Sequence, residues 1–241
     1  MHIPDGYLSP QTYMPLYGAS FVSWSVALRK MKKELSIKHI PYLAMAAAFS
    51  FLIMMFNVPI PGGTTGHAVG AGIIAILLGP WTAVIAVSVS LIIQAIVFGD
   101  GGITALGANC FNMAVVMPFV SYWVFNLIRG NSMGHARLYS GAFLSGYVGL
   151  SVAAIVTGFE FGIQPLIASG PDGRPLYAPY PLSVAVPAMA LEHLFLFGIV
   201  EGVVTVLLFK YFVKHEPGLV YALTVNPVRN SNIISNGTKE A

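Results

Sequence analysis

The chain has 241 residues, of which 56% are apolar and only 9% charged. A soluble domain carries about 25% charged residues, so this is a polytopic membrane protein. The net charge of +3 clusters in short basic segments between apolar runs, as topology determinants do, and excludes a nucleic-acid surface. The one cysteine, Cys110, lies in an apolar run, which leaves no disulfide framework and no thiolate metal cluster.

The chain opens Met1-His2-Ile3-Pro4-Asp5-Gly6. No Lys or Arg precedes Arg29, so a signal peptide's basic start is missing and the amino terminus is expected to stay uncleaved. Met-His at a free terminus is a chelator. The amine and the His2 amide nitrogen close one small ring around a metal, and the amide and His2 Nδ1 close a second. A metal that displaces the amide proton favours square-planar nitrogen coordination, the geometry of Ni(II) or Cu(II). Three donors leave one corner for a second imidazole.

Crossing a bilayer takes about 20 apolar residues, and seven runs come near that length. Their approximate limits are 12–28, 41–58, 68–79, 81–98, 105–128, 138–159 and 182–212. The third is short, ends at Pro80, and could join the fourth as one broken helix. Charge arbitrates. With seven spans, Arg29, Lys30, Lys32, Lys33, Lys38, Arg129, Arg137, Lys210 and Lys214 share one side. Asp5, Asp100, Glu160 and Asp172 then share the other with a single Arg174. The positive-inside rule therefore predicts an all-α protein of about seven transmembrane helices, amino terminus outside and carboxyl terminus cytoplasmic. Residues 1–215 form the membrane domain. Residues 216–241 form a cytoplasmic tail, polar after Thr224 and expected to be disordered.

This topology gathers residues 1–6, the loop ending at His67, the Gly99–Gly102 turn and the 160–181 loop on the outer face. His67 lies in Gly62-Gly63-Thr64-Thr65-Gly66-His67, where glycines permit close backbone approach. Short, Gly/Pro-interrupted segments tend to line transporter binding sites. The predicted ligands are the Met1 amine, the His2 amide and ring, and the His67 ring. Asp5 could orient a ligating imidazole or simply form a turn. Asn109 and Asn112 share a helical face; they either tie the terminal loop down or bond between helices. Glu192, His193 and Glu201 are ionisable residues within the last span, where such groups are functional or hydrogen-bond between helices. A Gly-X-X-X-X-Gly-Lys-Ser/Thr loop is absent, so ATP has no site of the usual kind, and no catalytic constellation is visible.

Met-His-Ile-Pro-Asp-Gly-Tyr-Leu at the start, Gly-His at 66–67 and Gly-Ala-Asn-Cys-Phe-Asn-Met-Ala at 107–114 resemble the CbiM/NikM family. These are substrate-capture (S) subunits of energy-coupling-factor cobalt and nickel importers in the prokaryotic inner or plasma membrane. The resemblance covers residues 1 to about 215. It implies Ni(II) or Co(II) as transported substrate, held by Met1, His2 and His67. It also implies a transmembrane coupling (T) subunit, two cytoplasmic ATPases and a small accessory membrane subunit as partners. Small-residue faces of S subunits pack on the coupling subunit, and Ala44 and Ala48 supply a suitable spacing. Nickel is slightly favoured over cobalt because amide-nitrogen ligation suits low-spin Ni(II). The alternative is a self-sufficient metal channel or secondary carrier. A metallohydrolase would need an open metal position for water, which four nitrogens in a plane do not offer.

Overall fold

The computed structural model describes residues 1–34, 40–60, 64–132 and 134–224. Lys38 of the basic run, two glycines of the 62–67 loop and the tail from 225 onward, expected to be disordered, lie outside the described residues. The fold is helical. Its principal elements are α1 (Pro10–Glu34), α2 (Ile40–Met54), α3 (Ala71–Leu78), α4 (Pro80–Phe98), α5 (Leu106–Arg129), α6 (His135–Gly162), α7 (Gln164–Ile167), α8 (Leu182–His215) and α9 (Tyr221–Thr224). A two-stranded antiparallel hairpin, β1 (Val58–Ile60) and β2 (Thr64–Gly66), joins α2 to α3.

Among the described residues, four helical stretches are long and apolar enough to cross a membrane: Pro80–Phe98, Leu106–Arg129, His135–Ile167 and Leu182–His215. Helix α1 has 25 residues but more polar ones, and α2 is an apolar helix of 15 residues. The third expected span is resolved differently. Helix α3 has 8 residues, about 12 Å at roughly 1.5 Å per residue, less than half of a bilayer core. Glycines bracket it: Gly70 at φ +76° opens it and Gly79 at φ +88° separates it from α4, whose first residue is Pro80. Proline at the first helical position supplies no hydrogen and needs none there. The break falls at Pro80, where the third apolar run is expected to end.

The chain shuttles between two ends. At one end lie residues 1–9, the hairpin, the turn after α4 and α7. Ser9 N–H donates to Gln164 Oε1 at 2.9 Å, and the Tyr17 hydroxyl donates to the Ile103 carbonyl. At the other end, Lys30 sits 5.1 Å above the Trp81 ring and Arg129 donates to the Ala222 carbonyl at 2.8 Å. Lys30 and Arg129 thus lie opposite the terminal segment. Helix α3 starts midway: Gly72 touches Gly146, Ser121 and Thr205 from α6, α5 and α8, while Gly79 packs on Tyr221.

Two expectations change. The domain boundary expected at 215 moves to at least 224, because Val220 and Ala222 are fully buried; these apolar residues pack beneath α3 instead of entering a polar tail. Glu160, counted above as an outer-loop charge, is a buried residue of α6.

Helix α6 is the central post, and its small residues set how closely neighbours approach. A Cβ on Gly146 would lie 2.6 Å from Thr205 Oγ1 and 2.9 Å from the Glu201 carbonyl oxygen. Gly146→Val should therefore force α6 and α8 apart, costing about 1–3 kcal/mol by overpacking, read as a lowered Tm of the detergent-solubilised protein. Gly18→Ala, where an added Cβ meets nothing within 4 Å, should leave Tm unlowered. Equal melting of Gly146→Val and the parent would show that α6 does not depend on this contact.

Candidate metal centre

The first residues are a buried plug. Met1, Ile3 and Leu8 are 1%, 0% and 2% exposed. The Met1 amine donates to the Thr65 carbonyl of β2. Asn109 of α5 grips Ile3 from both sides, accepting from its N–H at 2.8 Å and donating to its carbonyl at 3.2 Å. Gly102 N–H reaches the same carbonyl at 2.8 Å; a Cβ at Gly102 would run into the backbone of Pro4 and Asp5. The Asp5 carboxylate accepts from Thr104 N–H at 2.8 Å, Ile103 N–H at 3.2 Å and the Thr104 hydroxyl. From the far side, Ala178 N–H donates to the Tyr7 carbonyl at 3.1 Å.

This anchoring brings the two expected imidazoles together. The His2 and His67 ring centroids are 4.6 Å apart, with planes inclined at 32°, and the rings are 4% and 0% exposed. His2 Nε2 faces Gln94 Oε1 at 3.1 Å. A carbonyl oxygen only accepts, so Nε2 carries the proton and Nδ1 the lone pair. His67 Nδ1 faces the Ala68 carbonyl at 3.1 Å, so its lone pair is on Nε2, which is buried with no hydrogen-bond partner. These are the two nitrogens that the chelate requires. A buried acceptor left unsatisfied is costly, and coordinating a metal removes that cost.

Burial also strips the donors of protons. Desolvation pulls the Met1 amine down to about 4 from its usual 8.0, although the Asp100 charge and then the Glu192 charge act against it. His2 falls to about 3, again by desolvation and then by the amine charge, and His67 is pushed well below its usual range for the same two reasons. At neutral pH the amine and both rings are therefore neutral, the form in which nitrogen ligates. Asp100 Oδ1 lies 3.6 Å from His2 Nδ1, and burial pushes its carboxyl upward.

The other expected residues divide. Asn109 ties down the terminal segment, whereas Asn112 bonds between helices, donating to Glu160 Oε2 at 2.8 Å and Thr157 Oγ1 at 3.1 Å. Asp5 instead bonds across the turn, where the Thr104 hydroxyl first and then the Thr104 and Ile103 amides hold its carboxyl below the usual range. The acid beside His2 is Asp100. His193 is buried, with Nδ1 bonded to the Met189 carbonyl at 2.8 Å, and Glu192 is half-buried. Glu201 accepts from two backbone N–H groups just beyond His67. Ala44 and Ala48 lie on the exposed face of α2. Sequence reasoning missed Gln94, Asp100 and Glu160 as interior groups. A lone amide in an apolar run is the signal that could have found Gln94.

The apo plug should be sensitive to pH. Undocked, the amine and His2 titrate near 8.0 and 6.5; docked, near 4 and 3. The undocked segment thus holds more protons between these limits, so docking is strongest above 8.0 and weakens as pH falls toward 4. Protection of the Gly102 amide against hydrogen exchange, corrected for the intrinsic rate, should fall about tenfold or more per pH unit from 7 to 5. A flat profile would mean that the amine docks charged.

Comparison with known proteins supplies an independent view. The chain is 56% identical over 221 residues to the fused nickel transport protein NikMN of Rhodobacter capsulatus, covering 91% of this chain and 64% of that protein. It thus spans about two-thirds of that relative's length. It is 35% identical over 218 residues to the cobalt transport protein CbiM of Lachnoclostridium phytofermentans, covering 86% and 80% of the two chains. The crystal structure of a truncated transition metal transporter superposes with a TM-score of 0.86 at 49% identity, over 89% of this chain and 99% of that one. Residues 2–219 match the model of the CbiM family, the cobalt uptake substrate-specific transmembrane region. With the family model spanning nearly all the described fold, the chain belongs to the CbiM family.

Proposed function

We propose that this protein captures Ni(II) or Co(II) at the outer face of a prokaryotic plasma membrane for import, as the substrate-binding subunit of an energy-coupling-factor transporter. The observation that carries the reading is the set of buried, neutral nitrogens: the Met1 amine, His2 Nδ1 and His67 Nε2. With the His2 amide nitrogen they make the four-nitrogen set that a square-planar ion takes. The site captures; it does not catalyse. ATP hydrolysis belongs to two cytoplasmic ATPases, linked through a transmembrane coupling subunit, with a small accessory membrane subunit alongside. Ala44 and Ala48, facing outward on α2, offer the coupling subunit a close approach. Seven passes, with the amino terminus outside, agree with the gathering of Lys30, Arg129 and the residues around 220 at the end opposite the plug. Nickel is favoured slightly because displacement of an amide proton suits low-spin Ni(II), and the name of the Rhodobacter relative supports the same ion.

In the mechanism these residues perform, His2 supplies two donors from one residue, so the chelate tolerates no shift between amine and ring. Gln94 holds the His2 ring in the tautomer that leaves Nδ1 toward the amine side. The Ala68 carbonyl does the same for Nε2 of His67. Residues 7–9, covered by Gln164 and Ala178, keep water from the bound ion.

Two variants test the ligands. His67→Ala should weaken nickel binding by more than about 100-fold, beyond the 10–100-fold that a ligand's hydrogen-bond partner is worth. One Ala inserted between Met1 and His2 should enlarge the first chelate ring and abolish the yellow square-planar absorption band. Metal titration of purified protein, followed by that band, reads both. Unchanged binding in either variant removes that residue from the site. Nickel movement into vesicles containing this chain alone would instead favour the carrier reading.

A further inference from the structure

Resting on the metal-capture reading, a second question is what holds His67 in place, since its loop has no disulfide and few side chains. The answer lies in α8. Glu201 is completely buried within the Gly198–Phe209 stretch of that helix. Its Oε2 accepts from Val69 N–H at 2.8 Å and Gly70 N–H at 2.9 Å. An ionisable group at this depth is costly unless its hydrogen bonds are met. Oε2 is met by the backbone leading into α3, where helical N–H groups have no partners of their own and carry partial positive charge, while Oε1 is buried without a hydrogen-bond partner. Gly70, in the left-handed region at φ +76°, turns consecutive N–H groups toward the one oxygen. Ser50 clamps the same residue from the opposite side, donating to the Val69 carbonyl at 2.8 Å.

The connection to His67 runs through a single peptide group. The peptide between Ala68 and Val69 presents its N–H to Glu201 and its carbonyl to His67 Nδ1, at 2.8 and 3.1 Å. A peptide is planar and rigid. Fixing its N–H therefore fixes the direction of its carbonyl, which in turn fixes the His67 ring and its tautomer. Polarisation acts the same way: a carboxylate on the N–H makes the carbonyl a better acceptor, since chained hydrogen bonds strengthen one another. Ligating histidines commonly donate their second ring N–H to a carboxylate or a backbone carbonyl; here the two are joined in series.

We infer that Glu201 is the positioning residue for His67, acting through the Ala68–Val69 peptide to aim Nε2 at the metal. It does not touch the ion.

The test is nickel titration of the full chain with Glu201→Leu and Glu201→Gln, each alone and with His67→Ala. Glu201→Leu should raise the nickel Kd by about 10–100-fold, as other partners of ligating histidines do, and weaken the square-planar band. Glu201→Gln keeps an acceptor oxygen but sets an amide in place of the carboxyl group, and should raise Kd only about threefold. With His67 already replaced, neither change should alter Kd by more than about twofold, because the two residues act on one ligand. Equal losses with and without His67 would assign Glu201 a merely structural role and overturn the inference. So would a Glu201→Leu protein that binds as the parent does. Should Glu201→Leu fail to fold, the Glu201→Gln pair decides by the same comparison. A metal-free readout separates this inference from the capture reading. In labelled apo protein, the ¹⁵N shifts of His67 should report one tautomer with Nδ1 protonated, and a mixture in Glu201→Gln. A parent that binds no nickel would sink the capture reading. An unchanged tautomer would sink the positioning role.

Discussion

Everything at the amino-terminal end of this fold follows from burying a chain terminus without its charge. An amine with an ordinary pKa of 8.0 costs about 1.4 kcal/mol to deprotonate at pH 7, one pKa unit's worth, and His2 costs far less. Against this, burying Met1, Ile3 and Leu8 contributes roughly 1.5–3 kcal/mol each as an upper estimate. The apolar side chains therefore outweigh the proton cost, and the plug docks with its nitrogens neutral. Binding a metal then needs one proton removed, from the His2 amide, instead of several from scattered groups.

A buried backbone brings its own demands, because unpaired N–H and carbonyl groups are expensive away from water. The helices answer with side chains: Asn109 for the Ile3 backbone and Gln164 for the Ser9 N–H, while Gln94 takes the His2 ring. Three of the helices also carry a widened π-helical stretch: Gln94–Phe98 in α4, Cys110–Val116 in α5 and His193–Phe197 in α8. The first opens at Gln94, and the second directly follows Asn109. One extra residue in a turn rotates the following side chains onto a new face. Each of these two stretches thus begins at or just after the side chain that meets the plug, and turns the residues beyond it back onto the apolar packing face.

The sequence disclosed some of this and concealed the rest for identifiable reasons. Met1-His2 is a local motif whose chemistry depends on two adjacent residues, so its promise as a chelator was visible without a fold. The apolar runs located the long helices within a few residues, because hydropathy reports burial or lipid contact directly. Span three misled because an apolar run says nothing about whether its backbone is helical, and residues 67–70 form no helix while Ala71–Leu78 do. Glu160 was read as a loop charge because it follows Phe159 at the edge of a run; its partner Asn112 is 48 positions away, and no local pattern encodes that meeting. Asp5 and Asp100 exchanged expected places for the same reason. Which carboxylate reaches His2 depends on the turn at Gly99 and Gly101, both in left-handed conformations, and not on proximity along the chain.

Charge balance gives the proposed ligation its discrimination. The amine and both rings arrive neutral, and the amide contributes one negative charge when its proton leaves. Asp100, 3.6 Å from His2 Nδ1, contributes a second. A divalent ion therefore closes the site at zero net charge, whereas a monovalent ion leaves one negative charge buried and a trivalent ion one positive. In surroundings where an uncompensated charge costs several kcal/mol, this excludes such ions more firmly than the size of the pocket could. Among divalent ions, those that demand an oxygen shell, such as Mg(II) and Ca(II), lose by donor type. The contest that remains is between the nitrogen-seeking transition metals, and it is decided by how readily each displaces the amide proton that the plug holds in place.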